Sequence, residues 1–212
     1  MTVIKVNRPH DQGLIREVPL MNAQALEDIL SKAHRLFLNT EQWLPAYERI
    51  EILERVAQIM TEQVDKLTKI AAQEGGKPYQ DSKVEVLRAV NGVKLAIEYM
   101  SHIKGEQIPM GHTRSSSQRL AYTMREPIGL VASVSAFNHP LNLTVHQTVP
   151  AIAVGSPVII KPAKVTPLSC FAFMDILKEA GLPDGWCTAF IGETELTQKL
   201  VTDSRINYFS FI

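Results

Sequence analysis

The chain has 212 residues, of which 45% are hydrophobic and 21% are charged, a composition typical of a globular protein that buries its own core. Its 22 basic residues balance its 22 acidic residues, and it has no basic run. This balance argues against a nucleic-acid or membrane-surface binder. The N-terminus has no apolar stretch of signal-peptide length and no membrane-spanning run follows, which predicts a cytoplasmic protein.

The first forty residues have the pattern of a short hairpin followed by a helix. β-type residues at 4–6 and 14–18 flank a turn-rich segment, which predicts two antiparallel strands. Apolar residues then recur at spacings of four, three and four. This period predicts a helix that begins after Asn22, as its N-cap, and ends near Phe37.

Two further helices are predicted before residue 105. A long amphipathic helix starts near Pro45 and keeps one apolar stripe as far as Ala71. Gly75 and Gly76 end it, because glycine readily adopts the left-handed conformation of a helix C-terminus. Pro78 then opens another amphipathic helix.

The second half of the chain alternates short apolar runs with helical patterns. A segment rich in Gly, Ser and Thr at 105–117 leads to a predicted strand at 119–124. Strands that alternate with helices indicate βαβ units, a parallel sheet and right-handed crossovers. The predicted strands are 128–134, 157–160, 186–191 and 208–212, and the helices between them are 141–154, 167–180 and 193–202.

Ligands of open parallel sheets bind beyond the carboxyl ends of the strands. The loops expected to form a site are therefore 135–140, 161–166 and 192–194. Neither GxGxxG nor GxxxxGK[ST] occurs in the sequence. The common nucleotide-binding fingerprints therefore give this site no support.

Each of these loops contains a candidate ligand-binding residue that also has a plain structural explanation. The Asn138 amide can donate to a developing oxyanion, or it can satisfy its own backbone in a turn. Lys161 and Lys164 suit ribose hydroxyls or phosphates, or they are solvated loop residues. Gly192 lets a cofactor approach the backbone closely, or it makes a turn.

No metal-binding or nucleophile motif is present in the sequence. His139 and His146 have no third ligand and form no HExxH pattern, so no metal site is predicted. Cys170 and Cys187 lie in apolar stretches without a CxxC pair or an adjacent base. Both are expected to be buried free thiols.

Several short segments occur in a characteristic order along nearly the whole chain. The segments are EGGKP at 74–78, Glu85 in the following helix, REPIG at 125–129, FNHPLN at 137–142, PAIAVG at 150–155, KPA at 161–163, TPL at 166–168 and EAGLP at 179–183. Taken together, they resemble the NAD(P)-dependent aldehyde dehydrogenase superfamily.

The resemblance implies a truncated α/β fold with a Rossmann-type parallel sheet and N-terminal helices packed on it. A protruding hairpin at 108–124 would serve homo-oligomerisation. The chain then divides into an N-terminal hairpin and helices (1–106), the oligomerisation hairpin or linker (107–124), and an incomplete βαβ cofactor-binding portion (125–212). In this family the dinucleotide binds without the usual glycine fingerprint, so the missing fingerprint is no objection.

The resemblance also implies roles for individual residues. Asn138 matches the asparagine of the oxyanion hole, Phe137 the aromatic position beside the nicotinamide, and Lys161 the lysine that bonds the adenine ribose. Position 164 is commonly Glu in NAD-preferring members and is Lys here, so NADP is expected to serve at least as well as NAD. The other cofactor-binding positions are Ser135, Ala136, Ala163 and Gly192.

The family reaction oxidises an aldehyde to a carboxylic acid through a cysteine nucleophile, hydride transfer and a glutamate base. Only the oxyanion asparagine, Asn138, is expected within this chain, so the isolated chain is predicted to be inactive. Two functions stay open: the cofactor-binding portion of an aldehyde dehydrogenase, or a non-catalytic remnant that binds cofactor or pairs with intact relatives. His139 replaces the usual Phe or Tyr, and it either lines the substrate entrance or packs.

Overall fold

Residues 2–212 are described in a computed structural model, which begins with the predicted hairpin. Strand β1 (Val3–Asn7) pairs antiparallel with β2 (Leu14–Pro19). Helix α1 (Ala23–Leu38) follows. The Asn22 side chain accepts a backbone N–H hydrogen bond from its first turn at 2.9 Å, which confirms the predicted N-cap.

The single helix predicted over 45–71 is wrong. The structure has two helices there, α2 (Ala46–Glu62) and α3 (Val64–Gly75). The break lies at Gln63, whose φ of -101° and ψ of 15° leave the α-helical region. Buried apolar side chains on both sides of the break belong to one core, so the hydrophobic period alone does not reveal it.

A fourth N-terminal helix leads into a short hairpin. Helix α4 (Tyr79–Met100) follows the turn that ends α3, as predicted. Strands β3 (Gln107–Ile108) and β4 (Ala121–Tyr122) then pair antiparallel over two residues each. The strand predicted over 119–124 is therefore too long, because only Ala121 and Tyr122 pair with the other strand in regular register.

The second half alternates strands and helices, as its sequence pattern predicts. The elements are β5 (Leu130–Val134), α5 (Pro140–Val154), β6 (Val158–Lys161), α6 (Leu168–Glu179), β7 (Cys187–Ala189), α7 (Thr194–Thr202) and β8 (Ile206–Phe211). All four strands run parallel in the order β7-β6-β5-β8. The chain thus crosses back between β7 and β8, which creates a topological switch point between β5 and β8.

Helices cover both faces of this sheet. Leu130, Ala132 and Ile159 pack with residues of α1 and α7. The alternate residues Val131 and Val158 belong to a second, larger core built with α2 through α6. Because the N-terminal helices share this core, they hold fixed positions relative to the ends of the strands.

Candidate active site

The predicted loops after β5 and β6 meet at the carboxyl edge of the sheet. The Ser135 N–H donates to the Lys161 carbonyl oxygen at 3.0 Å. The Thr166 hydroxyl donates to the Phe137 carbonyl oxygen at 3.2 Å. The structure therefore brings the candidate residues of the two loops together.

Asn138 lies exposed in the first of these loops, and the Phe137 side chain beside it is 62% exposed. Within residues 2–212, the Asn138 side-chain amide makes no hydrogen bond, so it does not satisfy the turn's own backbone. Its backbone carbonyl oxygen accepts a hydrogen bond from Lys77 Nζ at 2.8 Å. The loop is thus anchored through its backbone, while the amide stays available as a donor.

A buried carboxylate lies behind this loop. Glu85, on α4, is only 1% exposed. Its Oε1 accepts from the N–H groups of Leu141 at 3.0 Å and Asn142 at 3.3 Å, and its Oε2 pairs with the Lys77 ammonium. Glu85 therefore caps the N-terminus of α5, where free N–H groups and the helix dipole favour a negative charge.

A second buried carboxylate caps the neighbouring helix in the same way. Glu74, on α3, accepts from the N–H groups of Leu168 at 2.6 Å and Ser169 at 2.8 Å, and from the Ser169 hydroxyl at 2.5 Å. Burial raises the pKa of Glu74 to about 7, although these hydrogen bonds oppose the rise. The two helices that follow β5 and β6 are thus both capped from the α3–α4 region.

Ser135 and Lys161, which are buried and half-buried at this edge, have no hydrogen-bond partner for their side chains within residues 2–212. Ser135 Oγ is buried and makes no hydrogen bond. Lys161 is half-buried, and its ammonium makes neither an ion pair nor a hydrogen bond within residues 2–212. Burial, and then the charge of Lys164, lower its pKa. Unpartnered buried polar groups are rare in native proteins and indicate a place for water or a ligand.

The predicted small residues and the second lysine lie in the same loops. Ala136 and Ala163 are both half-buried. Lys164 Nζ lies 2.8 Å from Glu193 Oε2, an ion pair between the loops after β6 and β7. Lys164 is therefore not the free solvated cation that its loop position suggests.

Gly192 has a packing explanation. A Cβ at this position would lie 2.5 Å from Cζ of Phe190, whose ring is fully buried. The absence of a side chain thus makes room for the Phe190 ring. The structure gives no separate evidence that Gly192 contacts a cofactor.

The sequence interpretation missed the functional context of Lys77, Glu74 and Glu193. One signal was available: Glu74 lies three residues after Ala71 on the apolar stripe of α3, where an acidic residue is out of place. An acid on an apolar stripe indicates a buried partner. Nothing local in the sequence signals the contact of Lys77 with Asn138 or of Glu193 with Lys164, because these partners lie 61 and 29 residues away.

Neither cysteine has the environment of a nucleophile. Cys170 is fully buried, and burial raises the pKa of its thiol to about 12. Burial also raises the pKa of the half-buried Cys187 well above its usual range. A nucleophilic cysteine needs its thiolate form, which both environments disfavour. Residues 2–212 contain no group of three or more His, Cys, Asp or Glu side chains that could hold a metal ion.

The parallel sheet with its switch point, and the polar loops at its carboxyl edge, define a Rossmann-type α/β protein. The model of the aldehyde dehydrogenase family matches residues 1–212, and the chain belongs to this family. Both the family and the fold implied by the sequence resemblance are thereby confirmed.

Individual relatives agree with this assignment. The chain is 35% identical over 166 residues to 3-sulfolactaldehyde dehydrogenase of Priestia megaterium, an alignment that covers 78% of this chain and 35% of that protein. It is 31% identical over 211 residues to lactaldehyde dehydrogenase of Methanocaldococcus jannaschii, which covers 97% and 44%. The chain thus spans less than half the length of these curated relatives.

Solved structures show the same fold. Glyceraldehyde-3-phosphate dehydrogenase GapN from Methanocaldococcus jannaschii, complexed with NADP, matches with a TM-score of 0.89 at 30% identity, over 98% of this chain and 45% of that one. Aldehyde dehydrogenase 21 from Physcomitrella patens, in complex with succinate, matches with a TM-score of 0.92 at 29% identity, over 98% and 43%.

Proposed function

We propose that this chain is the N-terminal, cofactor-binding portion of an NAD(P)-dependent aldehyde dehydrogenase and supplies the asparagine of its oxyanion hole. The observation that carries the proposal is that, within residues 2–212, the exposed amide of Asn138 and the ammonium of Lys161 both lack a partner and both lie at the carboxyl edge of the sheet. The names of these relatives, 3-sulfolactaldehyde dehydrogenase and lactaldehyde dehydrogenase, support the same reaction class.

The residues present fit a dinucleotide. The Lys161 ammonium and the buried Ser135 hydroxyl are donors without partners, as a site for ribose and phosphate oxygens requires. When bound, the cofactor supplies the hydride acceptor of the reaction. The NADP in the GapN complex supports this class of ligand. The proposed binding positions are Ser135, Ala136, Phe137, Lys161, Ala163, Lys164 and Gly192.

Asn138 contributes electrostatic stabilisation. When a nucleophile attacks an aldehyde carbon, negative charge develops on the aldehyde oxygen. An amide already free of other hydrogen bonds donates to this oxygen without first breaking a bond of its own. Because Cys170 and Cys187 are unsuited to the attack, we expect the chain by itself not to oxidise aldehydes.

The pair formed by Lys164 and Glu193 bears on the choice of cofactor. Lys164 attracts a 2′-phosphate, whereas the Glu193 carboxylate accepts from a 2′-hydroxyl. The two charges lie within 2.8 Å of each other, so each cofactor finds one favourable group. We therefore expect both NAD and NADP to bind.

The hairpin of β3 and β4 supports a homo-oligomer. Its apolar side chains include Leu120 and Tyr122, which are 75% and 64% exposed, as expected for a surface that another protomer covers. The same exposure supports the alternative function, in which the chain is a non-catalytic partner of intact relatives.

We also propose that the chain divides into three parts, with boundaries at 106/107 and 124/125. We propose a cytoplasmic location for the protein. None of the helices in residues 2–212 has the length and hydropathy to cross a bilayer.

Substitution of Asn138 tests the proposed function. In an aldehyde-oxidising polypeptide that carries this segment, Asn138→Ala should lower kcat by roughly 10²-fold to 10³-fold, the usual cost of losing one oxyanion donor. Cofactor binding should not change. The isolated chain should give no NADH or NADPH with aldehydes. We propose that the nucleophile is not one of the chain's own cysteines. Aldehyde oxidation by the isolated chain that is lost in Asn138→Ala would refute this.

A further inference from the structure

We propose that Lys77 and Glu85 are positioning residues that hold Asn138 in its productive geometry from the N-terminal helices. The inference rests on the proposed function for the role of Asn138. The contacts themselves are independent of that role. They join Lys77, in the turn after α3, and Glu85, on α4, to the loop after β5. Lys77 and Asn138 lie 61 residues apart in the sequence.

The Lys77 ammonium is held by contacts on three sides. Lys77 Nζ pairs with Glu85 Oε2, donates to the Asn138 carbonyl oxygen at 2.8 Å and lies 3.4 Å from His139 Nδ1. An ammonium offers three donors and no acceptor, and two of the donors of this lysine bind the carboxylate and the carbonyl. The position of Lys77, and with it that of the Asn138 carbonyl, is therefore defined from three directions.

Both carboxylate oxygens of Glu85 also have donors. Its Oε1 receives the two N–H groups of Leu141 and Asn142, and its Oε2 faces Lys77 and lies 3.5 Å from His139 Nδ1. These contacts enclose the Asn138 turn from both sides: Lys77 holds its carbonyl, and Glu85 holds the helix that follows. Charged hydrogen bonds in a buried site are strong and directional.

The turn that carries Lys77 is itself fixed. Gly76 adopts the left-handed conformation at φ 63°, where an L side chain is strained. A Cβ there would also lie 2.9 Å from the Pro9 side chain of the N-terminal hairpin. The hairpin thus packs against the turn immediately before Lys77, which directs the lysine toward the loop after β5.

His139 completes the cluster. Its half-buried ring lies against the ion pair, so it packs on Lys77 and Glu85 and helps to cover them. This contact favours packing over a direct role toward substrate. The ionised groups around the Asn138 turn are therefore Lys77 and Glu85, with His139 at their rim.

The test compares variants of the 212-residue chain by nuclear magnetic resonance. Lys77→Met keeps most of the side-chain length but removes all three donors, and Glu85→Gln keeps the shape but removes the charge. Lys83→Met is the matched control, because Lys83 lies on α4, as Glu85 does, and its ion pair with Asp65 of α3 is exposed. The readouts are the side-chain amide signals of Asn138, assigned by their loss in Asn138→Asp, and the exchange rates of individual backbone amides.

We expect Lys77→Met to shift or broaden the Asn138 side-chain signals. Glu85→Gln should speed exchange of the Leu141 and Asn142 amides by about tenfold or more, as expected for a weakened charged hydrogen bond. The amides that Glu74 caps, Leu168 and Ser169, should change by less than about twofold under the same comparison. Lys83→Met should leave all of these signals unchanged.

The proposal fails if Lys77→Met leaves the Asn138 signals unchanged, or if Glu85→Gln speeds exchange equally at both helix N-termini. If Lys77→Met does not fold, the isosteric Glu85→Gln still decides. In an aldehyde-oxidising polypeptide that carries the segment, Lys77→Met should lower kcat and leave cofactor KM unchanged. If Asn138→Ala leaves kcat unchanged in the same polypeptide, the proposed function is refuted, whereas the exchange data still decide the positioning role.

Discussion

The loop after β5 and the loops after β6 and β7 lie at the same edge of the sheet, but charge holds them in different ways. Behind the first loop, the side chains of Lys77 and Glu85 are 21% and 0% exposed, and the buried carboxylate has donors at both oxygens. The other two loops are joined by Lys164 and Glu193, whose side chains are 32% and 51% exposed.

This difference matches the two tasks that we propose for the edge. An oxyanion donor must stand in one place before the reaction begins, because its advantage lies in needing no rearrangement. A charge pair whose carboxylate is buried and accepts hydrogen bonds at both oxygens gives that rigidity. An exposed ion pair is weak and screened by salt, so a ligand that carries its own charge can replace one of its members.

The largest expected effect comes from removing the buried carboxylate. Glu85→Ala leaves the Lys77 ammonium without its counter-charge and two helix N–H groups without an acceptor. Loss of one partner from a buried ion pair costs roughly 3–5 kcal/mol. The free energy of unfolding in urea should fall by this amount. Lys83→Met, which removes the exposed ion pair between Lys83 of α4 and Asp65 of α3, should cost at most about 1 kcal/mol. Equal losses in the two variants would remove the distinction between buried and exposed charge.

The second effect concerns pH and the other buried cap. The Glu74 pKa rises from 4.5 to about 7 on folding because the carboxyl group is buried. Between these values the folded chain binds more protons than the unfolded one, so the free energy of unfolding falls as pH rises. From Glu74 alone the fall should approach about 3 kcal/mol between about pH 4 and about pH 8.

Glu74→Gln isolates this contribution, since an amide keeps an acceptor but does not titrate. The free energy of unfolding of wild type and variant is measured in urea at several pH values. The part of its fall with rising pH that comes from Glu74 should be absent from the variant. Glu54→Gln, at an exposed position on α2, is the control and should keep the wild-type slope. A wild-type slope in Glu74→Gln would mean that this carboxyl group is not the source of the pH dependence.

The smallest effect is expected at the exposed pair. We compare adenosine 2′,5′-bisphosphate with AMP as ligands of the chain in calorimetric titrations. Lys164→Met should lower the preference for the 2′-phosphate by about fivefold, and Glu193→Gln should raise it by a similar factor, because exposed charges contribute about 1 kcal/mol or less. If both variants keep the wild-type preference, the Lys164–Glu193 pair plays no part in the choice of cofactor.

The parts of the fold that depend on local periodicity could be predicted from the sequence. The α/β alternation, the Asn22 cap and the loops that carry Asn138 and Lys161 all follow from patterns within a few residues. The break at Gln63 could not be predicted, because the apolar stripe runs across it. The pattern of apolar residues reports which face is buried, and it is insensitive to a one-residue change of backbone conformation.

The contacts of the site depend on distant residues, and the sequence pattern does not contain them. Lys77 meets Asn138 across 61 positions, and Lys164 meets Glu193 across 29. The first pair follows from how the N-terminal helices pack on the sheet, and the second from the pairing of β6 with β7. Lys164 illustrates the consequence: its type and position predict an affinity for phosphate, but its actual partner is a carboxylate that the pattern does not single out.

Titration of the ¹⁵N-labelled chain with NADP tests most directly whether the carboxyl edge of the sheet is a cofactor site. Backbone amide signals of 135–138 and of Lys161, Ala163 and Lys164 should shift progressively and saturate, together with those of Gly192 and Glu193. Signals at the opposite end of the sheet should stay in place. Absence of shifts at these three loops, or shifts confined to other surfaces, would contradict the proposed function.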